Sequence, residues 1–311
     1  MKFSWAFLPL LLLPAVQSVP ATEPRKLKVL TSILPVYSLT ASVAGDLAQV
    51  ENLLAAGADA HDYQFTPRER RLLAAADLVV INGLKMEPWL EQALNRSGLV
   101  RRVVDCASGL DAGMLRAVSC LADARPGEAP ARGDQAVSPA GTDPNPHIWL
   151  DPLLACHMVT NIQLGLVKAD PAHAATYRSN ALACIARLQN LHAEISRALA
   201  PYQGRPIVTY HDAFHYFARR YELRVVGVLE EVPDVDPSPK HLTALRQAIQ
   251  RNQVAVIFTE AHHSERLARQ MGRDLHLAVA ALDPLESGPA QANAYEVGMR
   301  RNLRVLQQYL K

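Results

Sequence analysis

Three of the eleven histidines sit where short apolar runs give way to turns, and those positions can do chemistry. His61 lies in Gly57-Ala-Asp-Ala-His61-Asp-Tyr-Gln-Phe-Thr-Pro67. His147 lies in Asn145-Pro-His147-Ile-Trp-Leu-Asp-Pro152, just before a helical pattern, and His211 closes the run Ile207-Val-Thr-Tyr-His211. Two carboxylates hold similar places: Glu260 ends Ile257-Phe-Thr-Glu260, and Asp283 ends Ala278-Val-Ala-Ala-Leu-Asp283. Imidazole nitrogens with a carboxylate oxygen suit a borderline divalent cation such as Zn²⁺. No HExxH or CxxC motif occurs, so spacing alone leaves the ligand set open. His211 and His215 could share a helix face, and His262-His263 falls at a helix start. His157, His173, His192, His241 and His276 read as solvated.

The elements that would carry these residues alternate. Runs at Leu27–Ile33, Gln49–Leu54, Leu78–Asn82 and Val100–Asp105 form one set of strands. Pro206–Tyr210, Leu223–Leu229, Val254–Thr259 and Leu277–Leu282 form another. Helical patterns separate them, which implies parallel sheets built from βα units. Strands such as Val254-Ala-Val-Ile-Phe258 are apolar along their length, as strands covered on both faces are. Between the sets, 172–199 is free of Pro and Gly, with Tyr177, Ala181, Ala183, Ile185, Leu188, Leu191 and Ile195 at a roughly helical period. At ~1.5 Å per residue it would be a strut ~42 Å long. The expected organisation is a leader at 1–21, a first α/β lobe at 22–170, a linking helix at 171–200 and a second α/β lobe at 201–311. In such sheets ligands bind beyond the carboxyl ends of the strands. A cleft between lobes would therefore gather two histidines from the first lobe with His211 and an acid from the second.

Lys+Arg of 32 against Asp+Glu of 30, with 49% hydrophobic residues, excludes a disordered chain and a strongly basic nucleic-acid binder. Lys2, the apolar run Phe7–Val16 and the small residues Ser18-Val19-Pro20-Ala21 read as a secretory signal. With no Cys after that run, the expectation is a soluble, monomeric periplasmic protein without lipid attachment. In an oxidising compartment cysteines can pair. Cys156 and Cys184 each lie 14 residues from Asp170, so an antiparallel helix pair would bring them level and allow a disulfide, with two free thiols as the alternative. Cys106 with Cys120 is a weaker pairing. Helix starts are marked at Thr66-Pro67-Arg68-Glu69, Asp151-Pro152 and Ser238-Pro239. The Ala-, Pro- and Gly-rich stretch 122–146 reads as a mobile surface loop.

From about Leu27 to Lys311 the chain resembles the metal-specific solute-binding proteins of ABC transporters, the zinc/manganese-uptake (ZnuA/TroA-like) family. The markers are the His61 segment ending in Thr66-Pro67, Ala76-Asp-Leu-Val-Val-Ile-Asn-Gly83 with Glu87 and Trp89, and Pro146-His147-Ile-Trp-Leu-Asp-Pro152. They continue through Asp170-Pro171 with Tyr177 and Asn180, His211-Asp-Ala-Phe214 with Tyr216, and Pro237-Ser238-Pro239. Phe258-Thr-Glu260, Leu282-Asp283-Pro-Leu285, Met299 and Asn302-Leu303 complete them. The resemblance implies two α/β lobes bridged by one long helix. It implies His61, His147, His211 and Asp283 as metal ligands; Glu260 and Asp151 are further candidates as supporting or alternative groups. The cargo would be Zn²⁺, with Mn²⁺ or Fe²⁺ open to the same donor set, and the partner a membrane permease. His at position 211 favours zinc over harder ions. The chain departs from many zinc-directed relatives in lacking a His-rich loop before His147, and it has Ala60 where Pro is common.

Two rival functions use the same residues. A secreted metallohydrolase would take three histidines, Asp283 and Glu260 as general base, but four protein ligands leave no place for a catalytic water. A carrier of an organic chelate, a siderophore or a corrinoid, would need an aromatic or Arg-lined cleft. Aromatic residues are only 6% of the chain.

Overall fold

The structure is a computed structural model, and it describes residues 25–61, 63–97, 102–110, 115, 144–231, 236–260 and 265–311. The leader 1–21, most of the 122–146 loop, Cys120, His262-His263 and residues 232–235 lie outside the described residues.

Two sheets repeat one topology. The first holds β1 (Leu27–Thr31), β2 (Ala48–Asn52), β3 (Leu78–Ile81) and β4 (Val103–Asp105) in the order β2-β1-β3-β4. The second holds β5 (Pro206–Thr209), β6 (Arg224–Val228), β7 (Val256–Glu260) and β8 (Ala278–Leu282) in the order β6-β5-β7-β8. Every pairing is parallel, with Val29 opposite both Val50 and Leu78, and Ile257 opposite both Val208 and Val279. The strand order reverses between β1 and β3 in one lobe and between β5 and β7 in the other. Those two switch points are where crevices open beyond the strand ends.

The helices are α1 (Leu34–Ala44), α2 (Pro67–Ala75), α3 (Pro88–Ser97), α4 (Pro152–Ala169), α5 (Ala174–Leu199), α6 (His215–Arg220), α7 (Pro239–Asn252), α8 (Arg266–Leu275) and α9 (Ala294–Tyr309). Their starts follow the expected signals. Thr66 and Glu69 form a reciprocal capping box at α2, Asp151 accepts from Leu153 N at α4, and Ser238 accepts from His241 N at α7. Each satisfies amide groups that a first helical turn leaves without partners.

The long helix α5 runs 26 residues, ~39 Å at ~1.5 Å each. Its buried face is Tyr177, Ala181, Cys184, Leu188, Leu191, Ile195 and Leu199, spaced by steps of three and four. Ala183 is exposed and Ile185 half-buried, so Cys184 takes their place on the stripe. With α1, α4 and α9, this helix packs into one core cluster that runs from Val29 and Ile33 of the first lobe to Phe258 and Leu282 of the second. Smaller clusters cover the outer faces, around Leu30, Val79 and Leu90 on one side and Val208, Ile249 and Ile257 on the other. The lobes therefore share a continuous interior.

Helices α4 and α5 do fold back about Asp170, but Cys156 and Cys184 are free thiols, as is Cys106. Of the two alternatives for this pair, the structure holds the free thiols: the Cys156 Sγ is directed to the Ile185 carbonyl, while the Cys184 thiol lies against Ser42. Burial raises both thiols, to about 11. Among the described residues no helix is long and apolar enough to cross a membrane.

Candidate metal centre

Four side chains converge between the lobes. One donor atom each from His61, His147, His211 and Glu286 lies within 4.8 Å of all the others. The three imidazole rings stand 5.0 to 5.5 Å apart, centre to centre. His147, His211 and Glu286 are buried and His61 is half-buried. A single carboxylate oxygen faces all three rings: Glu286 Oε1 is 3.1 Å from His147 Nε2, 3.5 Å from His61 Nε2 and 3.7 Å from His211 Nε2.

Each donor is placed by its own local chemistry. His211 lies two residues past the end of β5, and its Nδ1 lies 2.8 Å from Glu260 Oε1 at the end of β7, so the second lobe's switch point supplies a donor and its partner together. His147 starts a short 3₁₀ turn. Its Nδ1 and its backbone N–H both reach Asn145 Oδ1 at 2.9 Å, while Asn145 Nδ2 donates to the Asp212 carbonyl at 2.6 Å. His61 sits in the loop after β2, which is tied down by the Trp89 indole donating to the Ala60 carbonyl at 2.9 Å and by Asp59 accepting from the His61 N–H at 2.6 Å. The buried His61 Nε2 has no hydrogen-bond partner.

The expected fourth ligand, Asp283, lies outside this cluster. Its Oδ1 accepts from Leu285 N at 2.8 Å, its Oδ2 faces Arg301 at 3.6 Å, and its backbone is clasped by Asn302. Asp283 thus shapes the turn after β8, where Leu285 has φ +66°. That turn carries Glu286, three residues on, into the cluster. The backbone of Glu286 is docked on the first lobe, its carbonyl accepting from Leu34 N at 3.1 Å, and the neighbouring Pro284 carbonyl accepts from the Trp149 indole at 2.7 Å. Asp151 lies outside the cluster as well: it caps α4 and pairs with Arg220 at 2.8 Å. His241, expected in solvent, is buried and bonded to the Val228 carbonyl at 2.9 Å. His215 is also buried.

The electrostatics suit a cation. Burial pushes His147 down to about 4, against the pull of Glu286. Burial acts the same way on His211, but the charge and hydrogen bond of Glu260 outweigh it and raise His211 to about 9. Burial works to raise Glu286, but the His147 and His61 imidazoles beside it hold it well below the usual carboxylate range. The site is therefore one carboxylate and three imidazoles, two of which, His147 and His211, have their second nitrogens already committed, the arrangement that fixes imidazole orientation at metal sites.

A family model described as "Zinc-uptake complex component A periplasmic" matches residues 29–309. The chain is 30% identical over 291 residues to the zinc-binding lipoprotein AdcA of Streptococcus pneumoniae, an alignment that takes in 91% of this chain and 56% of AdcA. It therefore spans a little over half the length of that relative. It is 30% identical over 257 residues to the iron-binding protein YfeA of Yersinia pestis, covering 82% of this chain and 76% of YfeA. The fold matches the solute-binding protein FpvC of Pseudomonas aeruginosa, solved with Mn²⁺, at a TM-score of 0.78 and 26% identity, covering 92% of this chain and 99% of FpvC. One expectation is overturned here. A freely soluble periplasmic protein without lipid attachment is not what these relatives support, because proteins matched over 91% of the chain are named lipoproteins. With a family model running from β1 to the end of α9, the chain belongs to the zinc-uptake component A (ZnuA) family of metal-specific solute-binding proteins, which are transporter components and not enzymes.

Proposed function

We propose that this protein captures one Zn²⁺ ion between its lobes through His61, His147, His211 and Glu286 and hands it to an ABC-transporter permease. The observation that carries the reading is the convergence of four donor atoms within 4.8 Å. Three imidazoles and a carboxylate presented through one oxygen make a compact four-ligand set, which suits zinc better than the oxygen-rich, higher-coordinate sites of harder ions. AdcA is named for zinc, YfeA is named for iron, and FpvC was solved with Mn²⁺. Manganese and iron are thus the competing cargoes.

The rival functions fit the site less well. Glu260, the general base of a hydrolase reading, is held against His211 Nδ1 at 2.8 Å. An organic chelate finds little room between rings 5.0 to 5.5 Å apart. Capture is a coordination event: the imidazoles and carboxylate replace the ion's hydration shell, and protons held by the cluster leave. The shared core between lobes favours small local movements over a wide hinge.

The deciding experiment strips the purified protein with a chelator, offers equal Zn²⁺ and Mn²⁺, and measures bound metal by mass spectrometry. One zinc per chain, lost in His211→Ala, is the expected result. One manganese per chain would overturn the zinc assignment while keeping a carrier, and no bound metal would overturn the carrier reading.

A further inference from the structure

The first lobe's switch point contains a buried carboxylate that touches none of the four donors. Glu87, fully buried, accepts from Ser32 Oγ at 2.5 Å and from Asn82 N at 2.7 Å through Oε1, and from Gly83 N at 3.2 Å through Oε2. Gly83, Leu84 and Lys85 all have positive φ, at 86°, 56° and 59°. Three successive residues in the left-handed region are costly for side chains other than Gly. A carboxylate clasping the amides at the head of this turn offsets that cost, as anions do in amide nests. Gly83 is also needed for space, since a Cβ there would meet Asp105 Oδ1 at 2.0 Å.

Each partner of Glu87 leads to a different ligand-bearing segment. Asn82, whose amide it holds, donates through its side chain to the Pro146 carbonyl at 2.9 Å, next to His147. Ser32 is two residues from Leu34, whose N–H holds the Glu286 carbonyl at 3.1 Å. Glu87 itself starts α3, its carbonyl accepting from Leu90 N and Glu91 N, and so sets the position of Trp89, whose indole holds the Ala60 carbonyl beside His61. On the reading of the cluster as the cargo site, we infer that Glu87 is a positioning residue that presets the His61, His147 and Glu286 segments before the ion arrives. His211, the remaining ligand, has its own carboxylate in Glu260. The two lobes thus use their switch points alike, with one buried acid each to hold donors in place.

The test measures Zn²⁺ affinity by competition with a chromophoric chelator and records the visible spectrum of the Co²⁺-loaded protein, which reports ligand geometry. The variants are Glu87→Gln, Ser32→Ala and Asn82→Ala. Tyr177→Phe, which loses a hydrogen bond to Asp170 at the start of α5, is the control for stability loss alone. Glu87→Gln should weaken Zn²⁺ binding roughly 10- to 100-fold, the cost usual for groups that orient metal ligands, and change the Co²⁺ spectrum. Ser32→Ala and Asn82→Ala should shift both readouts in the same direction by less, and Tyr177→Phe should lower Tm and leave both unchanged. Wild-type affinity and spectrum in Glu87→Gln would overturn the inference, whatever its Tm. Should that variant not fold, unchanged affinity in both Ser32→Ala and Asn82→Ala overturns it instead. A wild-type protein that binds no metal would sink the carrier reading itself, a result visible before any variant is compared.

Discussion

His211 Nε2 lies 3.1 Å from His147 Nε2, and neither ring can turn its other nitrogen toward the contact. His211 Nδ1 is committed to Glu260 at 2.8 Å and His147 Nδ1 to Asn145 Oδ1 at 2.9 Å. Both acceptors require an N–H, so both Nε2 atoms present lone pairs to each other and to the Glu286 carboxylate. Something positive has to sit between them. In the metal-free protein that is a proton on His211, whose pKa is raised to about 9 by Glu260; on the carrier reading the ion takes its place.

Proton and metal therefore compete, and the sign follows. Below about 9 the metal must displace the His211 proton, so log affinity should rise by ~1 per pH unit between pH 5 and 8. His147, held down at about 4, is already neutral there and adds no second proton. The stability of the metal-free protein should run the other way. A folded-state pKa above the ordinary ~6.5 contributes stability that is fully present below pH 6.5 and is lost as pH rises through about 9. Chelator competition and thermal melts across this range check both slopes. A flat affinity profile would remove the proton from His211.

Glu286 and Asp283 stand three residues apart, and exchanging their roles is testable. Glu286→Ala removes the oxygen shared by three imidazoles, so Zn²⁺ affinity should fall by more than the ~10- to 100-fold that supporting groups cost. Asp283→Ala leaves Leu285 N without its acceptor and should cost ~1 kcal/mol of stability with no more than about a tenfold loss of affinity. Titration calorimetry on the two variants separates them, and equal losses would make Asp283 a ligand after all.

How much of this was readable in the sequence depends on which force sets each residue's place. The two sheets, the strut and the convergence of the three histidines were legible because period, burial and strand-end position are local properties. The place of Glu286 in the cluster was not: the rule that ligands follow strand ends points to Asp283, the first residue after β8. The turn through Leu285, at φ +66° and packed on Leu34 and Trp149, is a tertiary contact that moves the site along the chain. His241 misled for a similar reason, since its burial under the end of β6 depends on lobe packing. The free state of Cys156 and Cys184 turns on side-chain direction within a correctly read hairpin, which spacing does not encode.

Glu260 should act through His211. Glu260→Gln keeps the shape and removes the charge, so the imidazole loses the main group that raises its pKa. Zn²⁺ affinity should fall roughly 10- to 100-fold, and the pH dependence should flatten because the metal-free site no longer holds its proton above pH 7. An NMR titration of His211 in the metal-free variant checks the second outcome directly. An unmoved His211 titration alongside weakened binding would mean that Glu260 acts only by packing.

The continuous core makes a prediction about the whole molecule. Leu188 lies at the centre of α5, fully buried, while Leu182 on the same helix is 69% exposed. Leu188→Ala removes packing shared by both lobes and should cost ~2–5 kcal/mol, whereas Leu182→Ala should stay within ~0.5 kcal/mol. Because Leu188 and its neighbours join the lobes into one cluster, the destabilised variant should still unfold in a single transition, with intrinsic fluorescence and far-UV circular dichroism coincident. Two separated transitions in Leu188→Ala would show that the lobes hold their own cores, and the strut would then be a linker and no longer a shared interior.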